Sequence, residues 1–227
     1  MDIKEHKLAF LERRKEVDNI MTFIFKPIEK FEWKPGQHGI FINSRIAAED
    51  GPQKVFTIAS TPAEEIIMIT TRIPEKPSAF KAVMARFGPG DAIMMKGPMG
   101  SFFLDSGKKP AILIAGGIGI TPYRPMVLDW ANHPQGPVEL LYIEDKSSFV
   151  YRDEFDRVAK GAGLFKINYF NEREALSGKI VDTANRYANE GVYFVSGPPP
   201  MVEANTKLLK SLGIQEENIR TDWFAGY

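Results

Sequence analysis

Two rhythms of apolar and polar positions divide the chain. Over the first hundred residues the apolar runs are short. KLAFLERRKEV, IMTFIFKPI, GIFINSRI, KVFTIAS, EIIMITTRI and DAIMMKG are rich in Ile, Phe, Val, Met and Thr. Turn signals separate them, among them Lys34-Pro35-Gly36, Asp50-Gly51-Pro52 and Gly88-Pro89-Gly90-Asp91. Closely spaced strands of this kind predict a small barrel or sandwich. One helix is expected among them, over 78–87, with Ser78 as its N-cap. Beyond the polar segment 104–110 the rhythm changes. Strands at 111–115, 138–143, 165–169 and 192–195 alternate with helices at 122–130, 152–160, 181–189 and 200–212. That alternation predicts a parallel, doubly wound sheet. The expected organisation is therefore two domains: an N-terminal antiparallel β-barrel over 1–104, then an α/β doubly wound parallel sheet over 110–227.

Charge and cysteine content remove several alternatives. The 29 basic and 29 acidic residues balance, so no overall field draws the chain to nucleic acid or to an anionic membrane. Neither is expected as a partner. There is no cysteine, which excludes disulfides, a Cys-ligated zinc site and a Cys-ligated iron–sulfur cluster on this chain. His6, His38 and His133 are scattered without ligand spacing, and no metal site is expected. The start lacks a signal-peptide pattern, and no apolar run approaches the ~20 residues that span a bilayer. The cytoplasm is the default location.

The stretch KPAILIAGGIGITPYRP concentrates the candidate chemistry. A buried-looking strand runs directly into Gly116, Gly117 and Gly119, and Thr121-Pro122 follows, read as N-cap and first helical residue. Glycines at the carboxyl end of a parallel strand let a phosphate reach backbone N–H groups at a helix start. A tight strand–helix turn without a ligand is the alternative. A second glycine element, Ser196-Gly197-Pro198-Pro199-Pro200-Met201, also links a strand to a proline-started helix. The usual strand order makes the two elements neighbours. In the first domain, Lys54-Val55-Phe56-Thr57 places a cation, a ring and a hydroxyl in one short strand, with Lys54 and Phe56 on one face.

The order of these elements resembles the ferredoxin–NADP reductase-like flavoprotein family along nearly the whole chain. The family's P-G-Q element is matched by Pro35-Gly36-Gln37, its R-x-[YF]-[ST] motif by Lys54-Val55-Phe56-Thr57, and its G-P-x-G-x-F element by 97–102. Its G-G-x-G-[IV]-[AT]-P opening is matched by 116–122, and its C-G-P-x-x-M element by 196–201. The resemblance implies a flavin-binding barrel followed by an NAD(P)-binding domain, with hydride moving from nicotinamide C4 to flavin N5. It implies Lys54 at the flavin phosphates, Phe56 against the isoalloxazine, and Thr57 near N5. Thr71 and Arg72 would flank the flavin, while Ser78 and Ala79 would present a helix start to its phosphate. Gly116, Gly117, Gly119, Thr121 and Pro122 would hold the dinucleotide pyrophosphate. Ser196, Gly197 and Pro198 would lie beside the nicotinamide. A C-terminal aromatic, Phe224 (with Trp223 and Tyr227 as alternatives), would cover the flavin face. Thr57, Ser196 and Phe224 are thus the implied catalytic positions.

Two substitutions depart from the pattern. Lys54 replaces an arginine, giving a point charge for a planar fork, so FMN is an alternative to the implied FAD. Ser196 replaces a cysteine. Glu172 stands where the family's NADPH-favouring arginine aligns, which favours NADH over NADPH; Glu144-Asp145, Lys146 and Arg173 lie in the same region. The implied activity is an NAD(P)H-dependent flavoprotein reductase. Its acceptor is a separate redox protein: a ferredoxin, a flavodoxin or an oxygenase component. A flavin or ferric reductase without a protein partner, and a non-catalytic flavin- or nucleotide-binding subunit, are the alternatives.

Overall fold

The computed structural model describes residues 3–105, 107–145 and 148–223. The chain divides into two compact units, Met1–Phe103 and Leu104–Tyr227.

The first unit is one antiparallel sheet of β1 (Glu5–Lys15), β2 (Ile20–Pro27), β3 (His38–Ile42), β4 (Gln53–Thr57), β5 (Ile67–Arg72) and β6 (Ala92–Met99). Their order is β4-β3-β6-β1-β2-β5. The edge strands β4 and β5 share no ladder. Just past β4, however, the Ala59 amide donates to the Met68 carbonyl of β5 at 2.9 Å, which curls the sheet into a half-barrel. Phe23, Phe25, Phe41, Ile67 and Ile69 fill its concave side. Helix α1 (Ala79–Met84) adds Phe80 and Met84 to that core. Ser78 caps it, its Oγ accepting from the Lys81 amide at 3.5 Å. The helix stops short of the expected residue 87 because Phe87 turns inward to pack on Phe10 and Phe25, at 5.7 and 6.3 Å between ring centres.

The second unit is a five-stranded parallel sheet: β7 (Ala111–Gly116), β8 (Val138–Ile143), β9 (Phe165–Phe170), β10 (Val192–Gly197) and β11 (Ile219–Trp223), in the order β11-β10-β7-β8-β9. Helices α2 (Tyr123–Asn132), α3 (Arg152–Gly161), α4 (Arg173–Tyr187) and α5 (Pro199–Ser211) accompany it. Every residue of β7, β8 and β10 is buried, as strands covered on both faces require. Ile112, Ile114, Tyr193 and Val195 pack with Ile180 of α4 and Leu209 of α5. On that face Glu139 is only 3% exposed. Lys179 (2.8 Å) and Asn168 (3.3 Å) donate to one of its oxygens, and Arg186 (3.5 Å) donates to the other.

Three expectations for this unit are corrected. Helix α4 starts at Arg173, eight residues before the predicted start. Nothing lies within 4 Å of Gly178's β-position, and Leu176, Ile180 and Ala184 keep helical spacing toward the core. Strand β11 was not predicted; IRTDW has little apolar alternation, and its pairing to β10 makes it a strand. The third correction concerns the start of α2 and belongs to the site.

Candidate functional site

The chain reverses direction across the sheet between β7 and β10. Their carboxyl ends therefore flank the crevice where open α/β sheets bind ligands. Gly116 closes β7 and Gly197 closes β10. After Gly116 the chain enters a 3₁₀ turn at Gly117–Ile120, not an extended loop. Thr121 is accordingly not the N-cap. It is already helical, and its hydroxyl donates back to the Ile118 carbonyl at 3.1 Å. Pro122 holds the N-cap position of α2. The helical segment thus opens at Gly117, and the early amides belong to 117–119.

The three glycines do different work. Gly117 has φ +54°, and a β-carbon there would have only the Glu144 carboxylate near it, at 3.7 Å. Gly119 is a packing glycine: its β-position lies 2.6 Å from the Gly197 nitrogen. Gly116's β-position is filled by the Met201 sulfur. The start of α5 is different in kind. Pro199 and Pro200 occupy its first positions and carry no N–H, while the Met201 and Val202 amides both donate to Pro198 at 2.9 and 3.0 Å. A phosphate therefore finds amides on the β7 side of the crevice and few on the β10 side.

Ser196 is fully buried, and its Oγ has no hydrogen-bond partner among the described residues. It pairs in register with Ala115 on one side and Asp222 on the other. Burial raises the Asp222 carboxyl to about 6. Tyr123, at the start of α2, is pushed well above the ordinary phenol range by burial and then by Asp222, and its hydroxyl donates to the Ile114 carbonyl at 3.2 Å. At the neighbouring strand ends, the Asn171 amide holds the Glu144 carbonyl at 3.2 Å. Glu172 is exposed and precedes α4 without capping it.

In the first unit, three of the sequence motifs converge. The Gln37 side chain donates to the Gly100 carbonyl at 3.2 Å, and the Ile58 amide donates to the Gln37 carbonyl at 2.9 Å. His38 pairs in register with Thr57 and with Met99, and its ring lies against Gly100. Burial lowers the His38 imidazole below its ordinary value. Thr57 is 5% exposed here. His38 was not singled out from the sequence as a flavin-side candidate; only the folded register shows it opposite Thr57. Phe56, expected against the isoalloxazine, belongs to the core, its ring 5.8 Å from both Phe41 and Phe80. Lys54, two residues before it in β4, is half-buried. Thr71 is buried in β5, while Arg72 ends that strand and donates to Asn19 at 3.1 Å. Ser78 and Ala79 stand at the start of a helix of only six residues. Phe224, Tyr227 and Lys146 lie outside the described residues, as does the Trp223 side chain.

Residues 113–207 match the oxidoreductase NAD-binding domain family. The structure superposes on Amycolatopsis cytochrome P450 reductase GcoB with a TM-score of 0.84 at 20% identity, over 99% of this chain and 71% of that one. The fold is ferredoxin–NADP reductase-like. The same fold is seen in the flavohem-like FAD/NAD-binding domain of nitric oxide dioxygenase from Vibrio cholerae O1 biovar El Tor: TM-score 0.75, 17% identity, 100% of both chains. Among curated proteins, a Na(+)-translocating NADH-quinone reductase subunit from Haemophilus influenzae (strain 86-028NP) is 29% identical over 199 residues, 76% of this chain and 48% of its own. The chain thus spans about half the length of the curated relatives it matches. No helix among the described residues is long and apolar enough to cross a membrane. The expectation of no membrane partner gains no support from relatives named for ion translocation. Within this reductase-like fold, the family match takes in both glycine elements, and Asp222 lies beyond it.

Proposed function

We propose that this chain is an NADH-dependent flavoprotein reductase that binds FAD and passes electrons to a separate redox protein. The observation that carries the reading is the crevice between β7 and β10. There a positive-φ glycine opens a helical turn beside a buried serine hydroxyl that has no hydrogen-bond partner among the described residues. A buried, unspent hydroxyl is costly unless a ligand uses it. The residues fit a dinucleotide. The amides at 117–119 suit the pyrophosphate, and Ser196 suits the polar edge of a nicotinamide. Glu144 stands beside Gly117 with Glu172 at the next strand end, and such carboxylates accept from a ribose hydroxyl and repel a 2′-phosphate.

The first unit fits a flavin. Thr57 and His38 form a polar corner under Gly100, and Lys54 and Arg72 supply cations. When bound, the flavin supplies hydride acceptance and stepwise electron release; the protein binds, orients and tunes. Relatives and structural neighbours described as NADH-quinone, cytochrome P450 and ferredoxin reductases support transfer onward to a redox partner.

The test is an anaerobic absorbance titration of the purified protein, after its released flavin is identified. Bleaching of the flavin band by near-stoichiometric NADH, with NADPH much weaker, is the expected result. A protein that binds no flavin on reconstitution, or a flavin that neither nucleotide reduces, would overturn the proposal.

A further inference from the structure

Lys81 sits in the first turn of α1, and its ammonium donates to the backbone carbonyl of Arg72, the last residue of β5, at 3.0 Å. That bond uses one of three N–H donors. The neighbouring Phe80 is fully buried with its ring on Phe56 of β4. Helix α1 therefore bridges the two edge strands that the sheet leaves without a common ladder. Lys54 stands two residues before Phe56 and on the same face of β4, by strand alternation. Cations from β4, β5 and α1 are thereby brought to one end of the half-barrel. Among the described residues, neither Lys54 nor Lys81 pairs with a carboxylate. The Lys81 ammonium is held below its ordinary range, by burial first and then by repulsion from Lys54 and Arg72. Half-buried positive charge without a carboxylate partner among the described residues is relieved by a bound anion.

We infer that Lys81, together with Lys54 and Arg72, forms a seat for the phosphate groups of the flavin. Two lysines on different elements share the work that a single arginine at position 54 does in the family pattern. A lysine offers a point charge in place of a planar fork, so two of them approach the anion from separate directions. The seat is built from side chains. The Lys81 amide in the short α1 is already turned toward Ser78 Oγ, so the helix start is not what holds the anion. The inference rests on the flavin reading above and adds a residue and a ligand group to it.

Flavin-fluorescence titrations of the apoprotein test it, with riboflavin, FMN and FAD as probes. The wild-type chain binds FMN and FAD far more tightly than riboflavin. Lys81→Gln weakens FMN and FAD by about 10- to 100-fold, the worth of a charge-assisted hydrogen bond, and leaves riboflavin unchanged. Lys81→Arg recovers most of the loss, and Lys26→Gln on an exposed strand position changes nothing. Equal weakening of all three flavins by Lys81→Gln would make Lys81 a fold residue and overturn the inference. So would unchanged FMN and FAD binding, or a wild-type chain indifferent to the phosphate. If no flavin binds the wild-type chain at all, the flavin reading itself fails, and that outcome is distinct from the others.

Discussion

The β-position of Gly119 lies 2.6 Å from both the nitrogen and the Cα of Gly197, across the two glycine turns of the parallel sheet. Backbone on both sides leaves no flexible end to move. Gly119→Ala therefore forces the turns apart and costs about 1–3 kcal/mol, as overpacking does. Gly117→Ala meets nothing closer than the Glu144 carboxylate at 3.7 Å and bears only the strain of φ +54°, about 1 kcal/mol. Urea unfolding of the two variants should rank them in that order. The reverse order would show that the turns are not interlocked.

The Ser196 hydroxyl predicts an unusual split. Ser196→Ala removes a buried group without a partner among the described residues, so stability stays level or rises by about 1 kcal/mol. NADH binding weakens in the same variant, since the ligand-facing hydroxyl is gone. Calorimetric melting and a nucleotide titration on one sample decide the matter. Stability and NADH affinity falling together would assign the hydroxyl to the fold instead.

Asp222 makes stability depend on pH. Its carboxyl is raised from 3.8 to about 6 by burial, so the folded state favours the protonated form. The contribution is full below pH 3.8 and is lost as pH rises through 6. Asp222→Asn should therefore be more stable than wild type at pH 7, by at most about 3 kcal/mol, with the gap closing near pH 4. Melting both proteins across that range measures the gap directly; a gap that does not change with pH would contradict the assignment.

Nucleotide choice should follow the carboxylates unequally. Glu144 stands beside the Gly117 turn, whereas Glu172 is exposed. Exposed charges are screened and weak. Glu144→Gln is expected to narrow the NADH preference in kcat/KM by about tenfold, and Glu172→Gln by only about twofold. Equal effects would place the ribose at the end of β9.

Much of this architecture could be read from the chain. Short apolar runs bounded by turn signals marked the strands of the first unit, Ser78 marked a helix cap, and the alternation after residue 110 marked the parallel sheet. What escaped depended on contacts made far along the chain. Thr121-Pro122 carries the letters of a helix start, yet its hydroxyl bonds backward to Ile118, because the turn before it is already helical. β11 becomes a strand only by lying against β10. Phe56 looks like a ring awaiting a cofactor until Phe41 and Phe80 enclose it. Lys81 is one of 29 basic residues, and nothing distinguishes it until α1 lies across β5. In each case local spacing stated the residue's means, and the tertiary neighbour decided its use.

The contact between Gly116 and Met201 has a consequence for how such chains diverge. The two positions, far apart in sequence, compete for a single volume. A side chain at 116 is admissible only if the flexible Met201 side chain swings aside or shrinks, so change at one site is felt at the other. Gly116→Ala should be rescued by Met201→Ala, and homologous chains should show the pair as alternatives, large at one site and small at the other. A glycine that looks reserved for a nucleotide would then be recording the bulk of a methionine.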